Sequence, residues 1–278
     1  MAYKNFIPEV WAEAINRELE RLHVFVPNCN RQYEGEVKKM GDSVRILGVG
    51  RPTITEVKRD SFTTLTAPET VEDTSQIMYI DNMAYFNYKV DDIDKRQAVG
   101  GLMEALSAET SEGLADVQDR AVANLAADAL AIKDETTTYQ LTANNILEKL
   151  LIAHQKLMEN DVSMSTKVTV TLAPWAATLW KQAMAAIDTD NSALLKNGLI
   201  GTFDGMDIKV SNNCYSNSGN YGFMVRTDRA IAFARPMIHT EPYRPELDFS
   251  DAVKGFILYG TKIVRPKEMI IMNCKATA

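Results

Sequence analysis

RPTITEVKRDSFTTLTAPET, Arg51 to Thr70, runs on as VEDTSQIMYIDNMAYFNYKV, Val71 to Val90, without a single glycine. β-Branched and aromatic residues crowd it: Thr53, Ile54, Thr55, Val57, Phe62, Thr63 and Thr64, then Ile77, Tyr79, Ile80, Tyr85, Phe86 and Tyr88. That composition favours strand over helix. Lys58-Arg59-Asp60 and Ala67-Pro68-Glu69-Thr70 place charge and turn chemistry where a core strand would be apolar. The stretch predicts an extended β arm over 51–90, its tip between Val57 and Thr70. Such an arm has too little core of its own and needs a neighbouring surface to pack on.

From Asp94 the spacing turns helical and holds to about Lys133. Apolar or small residues at Val99, Met103, Leu106, Thr110, Leu114, Val117, Ala121, Leu125, Ala129 and Ile132 form a 3.6-period stripe. At 1.5 Å per residue this predicts a helix of about 60 Å. Gly100, Gly101 and Gly113 mark a break or a close packing site, since each costs about 1 kcal/mol against alanine in a helix. Asp91, Asp92 and Asp94 read better as N-terminal capping acids than as a cation site, because they lack a calcium loop's glycine and spaced ligands.

Outward from this core the bounds are ordinary. The chain has 278 residues, 46% of them hydrophobic and 24% charged, which is enough for one large domain or two modest ones. No apolar run is long enough to span a bilayer, and the first ten residues lack the hydrophobic core of a secretory signal. Cys29, Cys214 and Cys274 are odd in number and far apart, which argues against a disulfide framework or zinc site and makes a reducing cytoplasm the default compartment. The formal net charge of −7 equals that of Asp91–Glu135 alone, where eleven acids face four bases. No basic footprint for nucleic acid stands out.

Glu9–Val24 reads as a first helix stopped at Pro27-Asn28, and Ser43–Val49 as a strand after the turns at Gly35 and Gly41. Past the threonines at 136–138 a second helix runs from a Thr142 N-cap through Ile146, Leu150 and His154 to Met158. Thr166–Leu172 alternates as a strand with Val168, Val170 and Leu172 on one face, and Pro174 opens a helix to Ile187. Strands follow at Met206–Val210, Gly222–Arg226, Ala230–Ala234, Ile238–Tyr243, Val253–Val264 and Met269–Asn273. Mixed rather than alternating elements give the α+β class.

Chemistry is conspicuously thin. His23, His154 and His239 show no metal spacing, and HExxH, GxSxG, GxxxxGK[ST] and GxGxxG are missing. His154 reads as a satisfied structural histidine on the face of Leu150 and Leu157, and His239 among Arg235, Glu241 and Arg244 as a pH-sensitive interface contact at best. Gly198, Gly201 and Gly205 read as turns feeding Met206–Val210, because Asp204 would put a carboxylate in any phosphate cradle. Trp175 and Trp180 read as core and rim. We expect no catalytic, cofactor-binding or metal-ligating residue.

The order of features over nearly the whole chain resembles the major capsid protein of tailed bacteriophages, the Hong Kong 97 capsid fold, in the branch without an inserted domain. The resemblance rests on Phe6-Ile-Pro-Glu-Val-Trp11, then Asn28, Tyr33-Glu34-Gly35 and Gly41-Asp42-Ser43-Val44-Arg45-Ile46. It continues through Ile80-Asp81-Asn82, Tyr85-Phe86, Val90-Asp91-Asp92-Ile93-Asp94 with Gln97, the glycines at 198, 201 and 205, and Ser211-Asn212. It implies an N-terminal arm at 1–35 and an extended β-hairpin loop at 51–90. A peripheral domain with a spine helix would come from 36–50, 91–139 and 246–278, and an axial domain from 140–245.

The function implied is a shell subunit that self-assembles into pentamers and hexamers enclosing phage DNA. It would act with portal and scaffolding proteins, in the virion capsid, after assembly in the host bacterial cytoplasm, without cofactor, membrane or sequence-specific DNA binding. Trp11, Ile54, Val57, Lys58, Arg59, Asp60, Phe62 and Leu65 are the candidate inter-subunit contacts, the apolar ones burying surface and the charged ones setting register. The acidic helix would line the interior and repel DNA. Some members crosslink a loop lysine to an asparagine; Lys58 and Asn273 are the candidates, and nothing in the residues favours that chemistry over ordinary contacts. An encapsulin-like cage is the alternative, and an enzyme of unrecognised α+β fold a more distant one.

Overall fold

The computed structural model describes residues 23–33, 43–49, 73–91, 102–186, 201–245 and 250–276. Ser43–Val49 (β1) and Asp73–Tyr79 (β2) pair antiparallel in unbroken register from Ser43↔Tyr79 to Val49↔Asp73. Val49 and Asp73, which flank 50–72, are therefore held side by side. The C-terminal part of the expected arm lies elsewhere. Asn82–Asp91 (β3) pairs with the strand at Ser250–Ile263, Asp91 closing β3 opposite Ser250.

The long helix, Leu102–Asn124 (α1), spans about 35 Å at 1.5 Å per residue. It does not reach Lys133. A 3₁₀ turn at Leu125–Ala127 follows, Asp128 turns extended, and Asp128 Oδ1 accepts the Leu130 N–H at 2.9 Å. Ile132–Lys133 (β4) then pairs in parallel with Ile270 and Ile271. A ladder formed with the far end of the chain overrides the local helical spacing, which no window of sequence can register.

The buried face of α1 also differs from the expected stripe. Ser111, Leu114, Ala115, Gln118, Asp119, Val122, Ala123 and Ala126 are buried, whereas Val117 is 41% exposed. Three polar residues on the inner face mask its periodicity. Gly113 marks neither a break nor a close contact, since a Cβ there would meet nothing within 4 Å.

Tyr139–Leu141 (β5) pairs in parallel with Cys274–Ala276. Ile146–Glu159 (α2) buries Ile146, Leu150, Ala153 and Leu157 on one face. Its N-cap is Asn145, not Thr142: Thr142 sits in the preceding turn, its carbonyl accepting the Ile146 N–H at 3.1 Å and its own N–H donating to Asn145 Oδ1 at 2.8 Å. Val168–Leu172 (β6) is buried at all five positions, Thr169 and Thr171 included, so both its faces are covered rather than one. Pro174–Ala186 (α3) opens on its proline, where a missing N–H costs nothing.

Thr202–Phe203 (β7) and Met206–Val210 (β8) join through Asp204 and Gly205, both left-handed, as expected of a turn and not a cradle. Tyr215–Asn217 (β9) and Asn220–Thr227 (β10) follow. The two strands expected at 230–234 and 238–243 are one, Ile231–Tyr243 (β11), with a register shift between Ala234 and Met237. Pro236 lacks the N–H that a regular ladder would use there, so the strand bulges instead of ending. Ser250–Ile263 (β12) and Met269–Ala276 (β13) complete the set.

Eight strands form one sheet in the order β4-β13-β10-β6-β8-β7, with β5 beside β13 and β9 beside β10; β11-β12-β3 form a second, and β1-β2 the ribbon. The main core joins the eight-stranded sheet, the inner faces of α2 and α3 and the end of α1. A second cluster packs Val44, Ile46, Met78 and Ile80 of the ribbon onto Ala232, Ala234 and Leu258. A third sets Leu114 and Ala115 of α1 on Ile257, with Ala84 and Phe86 beside them. Strands, helices and ribbon in this arrangement are the expected α+β architecture.

Candidate inter-subunit surfaces

Among the described residues no group of three or more His, Cys, Asp or Glu could hold a metal, and no helix is long and apolar enough to cross a membrane. Burial pushes the Cys29 thiol up and the Cys214 thiol to about 12, which leaves both poor nucleophiles at neutral pH. His154 is buried and its Nδ1 lies 2.7 Å from Asp204 Oδ2, the satisfied structural role expected of it. Trp180 is core; half-buried Trp175 packs against Tyr221 and Phe223 at its margin.

The ribbon is rooted on the three-stranded sheet and leaves it in a definite direction. A Cβ at Gly260 would come within 2.5 Å of the Tyr79 carbonyl, so β2 crosses β12 closely at this bare position. Lys262 Nζ then donates to Ile77 O at 2.8 Å, and Gln76 Nε2 to Val264 O at 3.4 Å. Going back from Tyr79 to Gln76 thus advances from residue 260 to 264. Among the described residues, the ribbon does not reach the other end of the same sheet face. There Tyr85 is 75% exposed, in register with Phe256 and, beyond it, His239, whose ring lies 5.6 Å from that of Phe256. Lys254 pairs with Glu241 at 3.2 Å and lies over the Tyr243 ring, and the Tyr243 hydroxyl donates to Asn87 Oδ1 at 3.1 Å.

A second constellation holds the start of the described chain. The Asp119 carboxylate, on α1, accepts from Val24 N at 2.8 Å and from Phe25 N and Val26 N at 3.3 Å, with His23 Nδ1 at 3.1 Å. On β10, Arg226 is 1% exposed and donates to the carbonyls of Asn28 and, at 2.9 Å, Phe25. Lys209 Nζ on β8 donates to Asn28 Oδ1 at 3.1 Å, with burial and then the charge of Lys167 holding its pKa below the usual lysine range. Asn30 exchanges backbone hydrogen bonds with Ile231 and Phe233 of β11.

All eight candidate contacts, Trp11, Ile54, Val57, Lys58, Arg59, Asp60, Phe62 and Leu65, lie outside the described residues. So do Asp92 and Asp94 of the expected capping cluster and the helix expected before His23. Asn273 is described. It sits in β13 opposite Gly222, with its N–H on Asp134 and its Oδ1 accepting from Thr138 at 3.2 Å. Sequence reasoning missed Asp119 and Arg226. Arg226 carried a signal: it is the one charge in the otherwise apolar run Gly222-Phe-Met-Val-Arg-Thr.

No protein-family model matches the sequence, and no curated protein matches it. Solved structures do. One from Mycobacterium phage Che8 is 26% identical over 90% of each chain, with a TM-score of 0.75. The capsid structure of Cyanophage P-SCSP1u is 16% identical, covering 87% of this chain and 85% of that one, with a TM-score of 0.67. A virus-like particle from Pyrococcus furiosus is 13% identical over 97% and 99%, with a TM-score of 0.62. The chain has the phage capsid fold, that of the tailed-phage major capsid proteins.

Proposed function

We propose that this chain is the major capsid protein of a tailed phage, self-assembling into pentamers and hexamers that build an icosahedral shell around the phage DNA. The observation that carries this reading is the near full-length likeness to phage capsid structures. The geometry of the ribbon supports it. β1 and β2 stay paired up to Val49↔Asp73, the residues that flank 50–72, and on this reading Ile54, Val57, Phe62 and Leu65 bury their apolar surface on a second copy. Lys58, Arg59 and Asp60 set register there by charge, and Trp11 contributes from the N-terminal arm. Several weak contacts per subunit suffice, because the first raises the effective concentration for the rest.

On this reading the shell forms in the host bacterial cytoplasm with portal and scaffolding proteins, and the subunit is a structural protein rather than an enzyme. The encapsulin-like alternative draws on the likeness to the Pyrococcus furiosus virus-like particle, at lower identity. Expression of the full chain in bacteria, followed by size-exclusion chromatography and negative-stain electron microscopy, is the test. We expect closed shells or rings of five and six subunits; a stable monomer under every ionic condition and concentration would refute assembly. Shells that carry a protein cargo in place of DNA when isolated from the native host would favour the alternative.

A further inference from the structure

The segment His23–Asn30 does more than begin the described chain. It runs between two oppositely charged side chains that are both withdrawn from solvent, Asp119 on α1 and Arg226 on β10, with side chains 3% and residue 1% exposed respectively. Among the described residues every hydrogen bond to the Asp119 carboxylate comes from His23–Val26. The guanidinium of Arg226 donates to carbonyls of the same segment, those of Phe25 and Asn28. Phe25 thus presents its N–H to the anion and its C=O to the cation. One peptide segment bridges two buried charges, one on a helix and one on the eight-stranded sheet. Its Phe25 and Val26 side chains enter the main core, Asn28 Nδ2 clips back to Val24 O at 2.9 Å, and Asn30 ties it to β11. Beside the apolar packing of Val122 and Ala123 in the main core, the remaining polar ties between α1 and the eight-stranded sheet are lighter: Asn213, in the turn after β8, binds the partly exposed Asp116 and Arg120.

We infer that His23–Asn30 is a pin that fixes the long helix against the eight-stranded sheet, and that Asp119 and Arg226 are its positioning residues. Neither charge keeps its partners if the segment withdraws, so any change in the angle between helix and sheet must carry the pin with it or break it. This holds whether or not the chain builds a shell, and its test does not depend on assembly.

The test uses the full folded chain with spin labels at two exposed positions, Glu112→Cys on α1 and Lys181→Cys on α3, diluted into unlabelled protein; the native cysteines are buried. Interspin distance distributions and amide hydrogen exchange are then measured for this background, Asp119→Asn and Arg226→Lys. We expect one narrow distribution in the background, and a broadened or shifted one in each variant. Amides of 23–30 should exchange at least tenfold faster in both variants, while those of β6 keep their rate. An unchanged distribution in a folded variant overturns the proposal. So does loosening confined to α1 in the first variant and to β10 in the second, which would mean the two charges act separately. If either variant fails to fold, Asn28→Ala, which removes the clip to Val24 and the Lys209 contact while leaving Asp119 and Arg226 in place, must broaden the same distribution; an unchanged one overturns the proposal equally.

Discussion

Replacing Gly260 with alanine separates the physics of the ribbon root from that of an ordinary glycine. The added Cβ would lie 2.5 Å from the Tyr79 carbonyl oxygen, with Ile80 Cδ1 at 3.2 Å and Ile80 Cα at 3.4 Å behind it. That is roughly 1 Å short of ordinary contact. The obstacle is backbone, so no rotamer change relieves it; β2 must lift from β12, and Met78 and Ile80 with it, off Ala232, Ala234 and Leu258. Overpacking of this kind costs about 1–3 kcal/mol, and lower unfolded-state entropy of alanine returns about 0.4–1. The net loss of about 1–2 kcal/mol lowers the melting temperature by about 2–4 °C for a chain of this size. Gly113→Ala is the matched control: it lies in exposed α1 with nothing near its would-be Cβ, and should stabilise by about 0.5–1 kcal/mol through helix propensity. Calorimetry on both variants measures the difference. Equal or same-sign shifts would refute the close crossing of ribbon and sheet.

Arg226→Met should cost about 2–4 kcal/mol in urea unfolding, because it leaves two buried carbonyls of the pin without their donor; a loss under 1 kcal/mol would show the guanidinium to be dispensable. Glu268 gives a pH signature. Burial opposes its charge, but hydrogen bonds from Thr227 at 2.5 Å and Arg265 at 2.8 Å outweigh it and hold the carboxyl below its usual 4.5. A depressed folded value means stability that is full above the unfolded pKa and drains as pH falls through the folded one, so Glu268→Gln should flatten the stability slope between about pH 5 and 3. An unaltered slope would mean the pair contributes nothing. Finally, Ile54→Ser with Phe62→Ser should leave the melting temperature of the subunit within about 2 °C while abolishing shells in the assembly assay; intact shells would remove these residues from the interface.

Much of the fold is legible where local chemistry and tertiary context agree. Pro174 opens a helix, Asp204-Gly205 turns a hairpin, and the β-branched runs at 43–49, 168–172 and 269–273 form strands, because each carries its own period or punctuation. Legibility fails where distant chain decides. Ile132 continues a helical stripe in the sequence, yet pairs with Ile270 across the molecule. Pro236 looks like a gap between strands, yet β12 holds both halves of β11 together across the bulge. The inner face of α1 was misplaced because Ser111, Gln118 and Asp119 lie on it, and a periodicity count reads polar residues as outward. Of the candidate surfaces, the arm contacts lie outside the described residues, and the Tyr85–Phe256–His239 face could not be picked out, because an exposed aromatic has the same composition as a buried one.

The same misreading bears on the charge of α1 and the segment after it. Eleven acids between Asp91 and Glu135 suggest a single acidic wall, yet those that can be followed serve different masters. Asp119 and Asp134 are buried, the first binding the pin, the second accepting from the Glu135, Tyr139 and Asn273 donors that tie β4, β5 and β13 together. Burial first, then the Asp134 hydrogen bond, pushes the Tyr139 phenol up, so it stays a donor. Asp116 is engaged by Arg120 and Asn213, and Glu135 by Lys149. Glu109 and Glu112 remain on the exposed face of the helix. A charge sum along a sequence counts all of these alike, but field at a surface comes from exposed charge, and a carboxylate surrounded by N–H donors has already spent most of its field on them. Among the described acids of this helix, Glu109 and Glu112 are therefore the ones placed to repel packaged DNA, while the acids turned inward hold the fold that presents them.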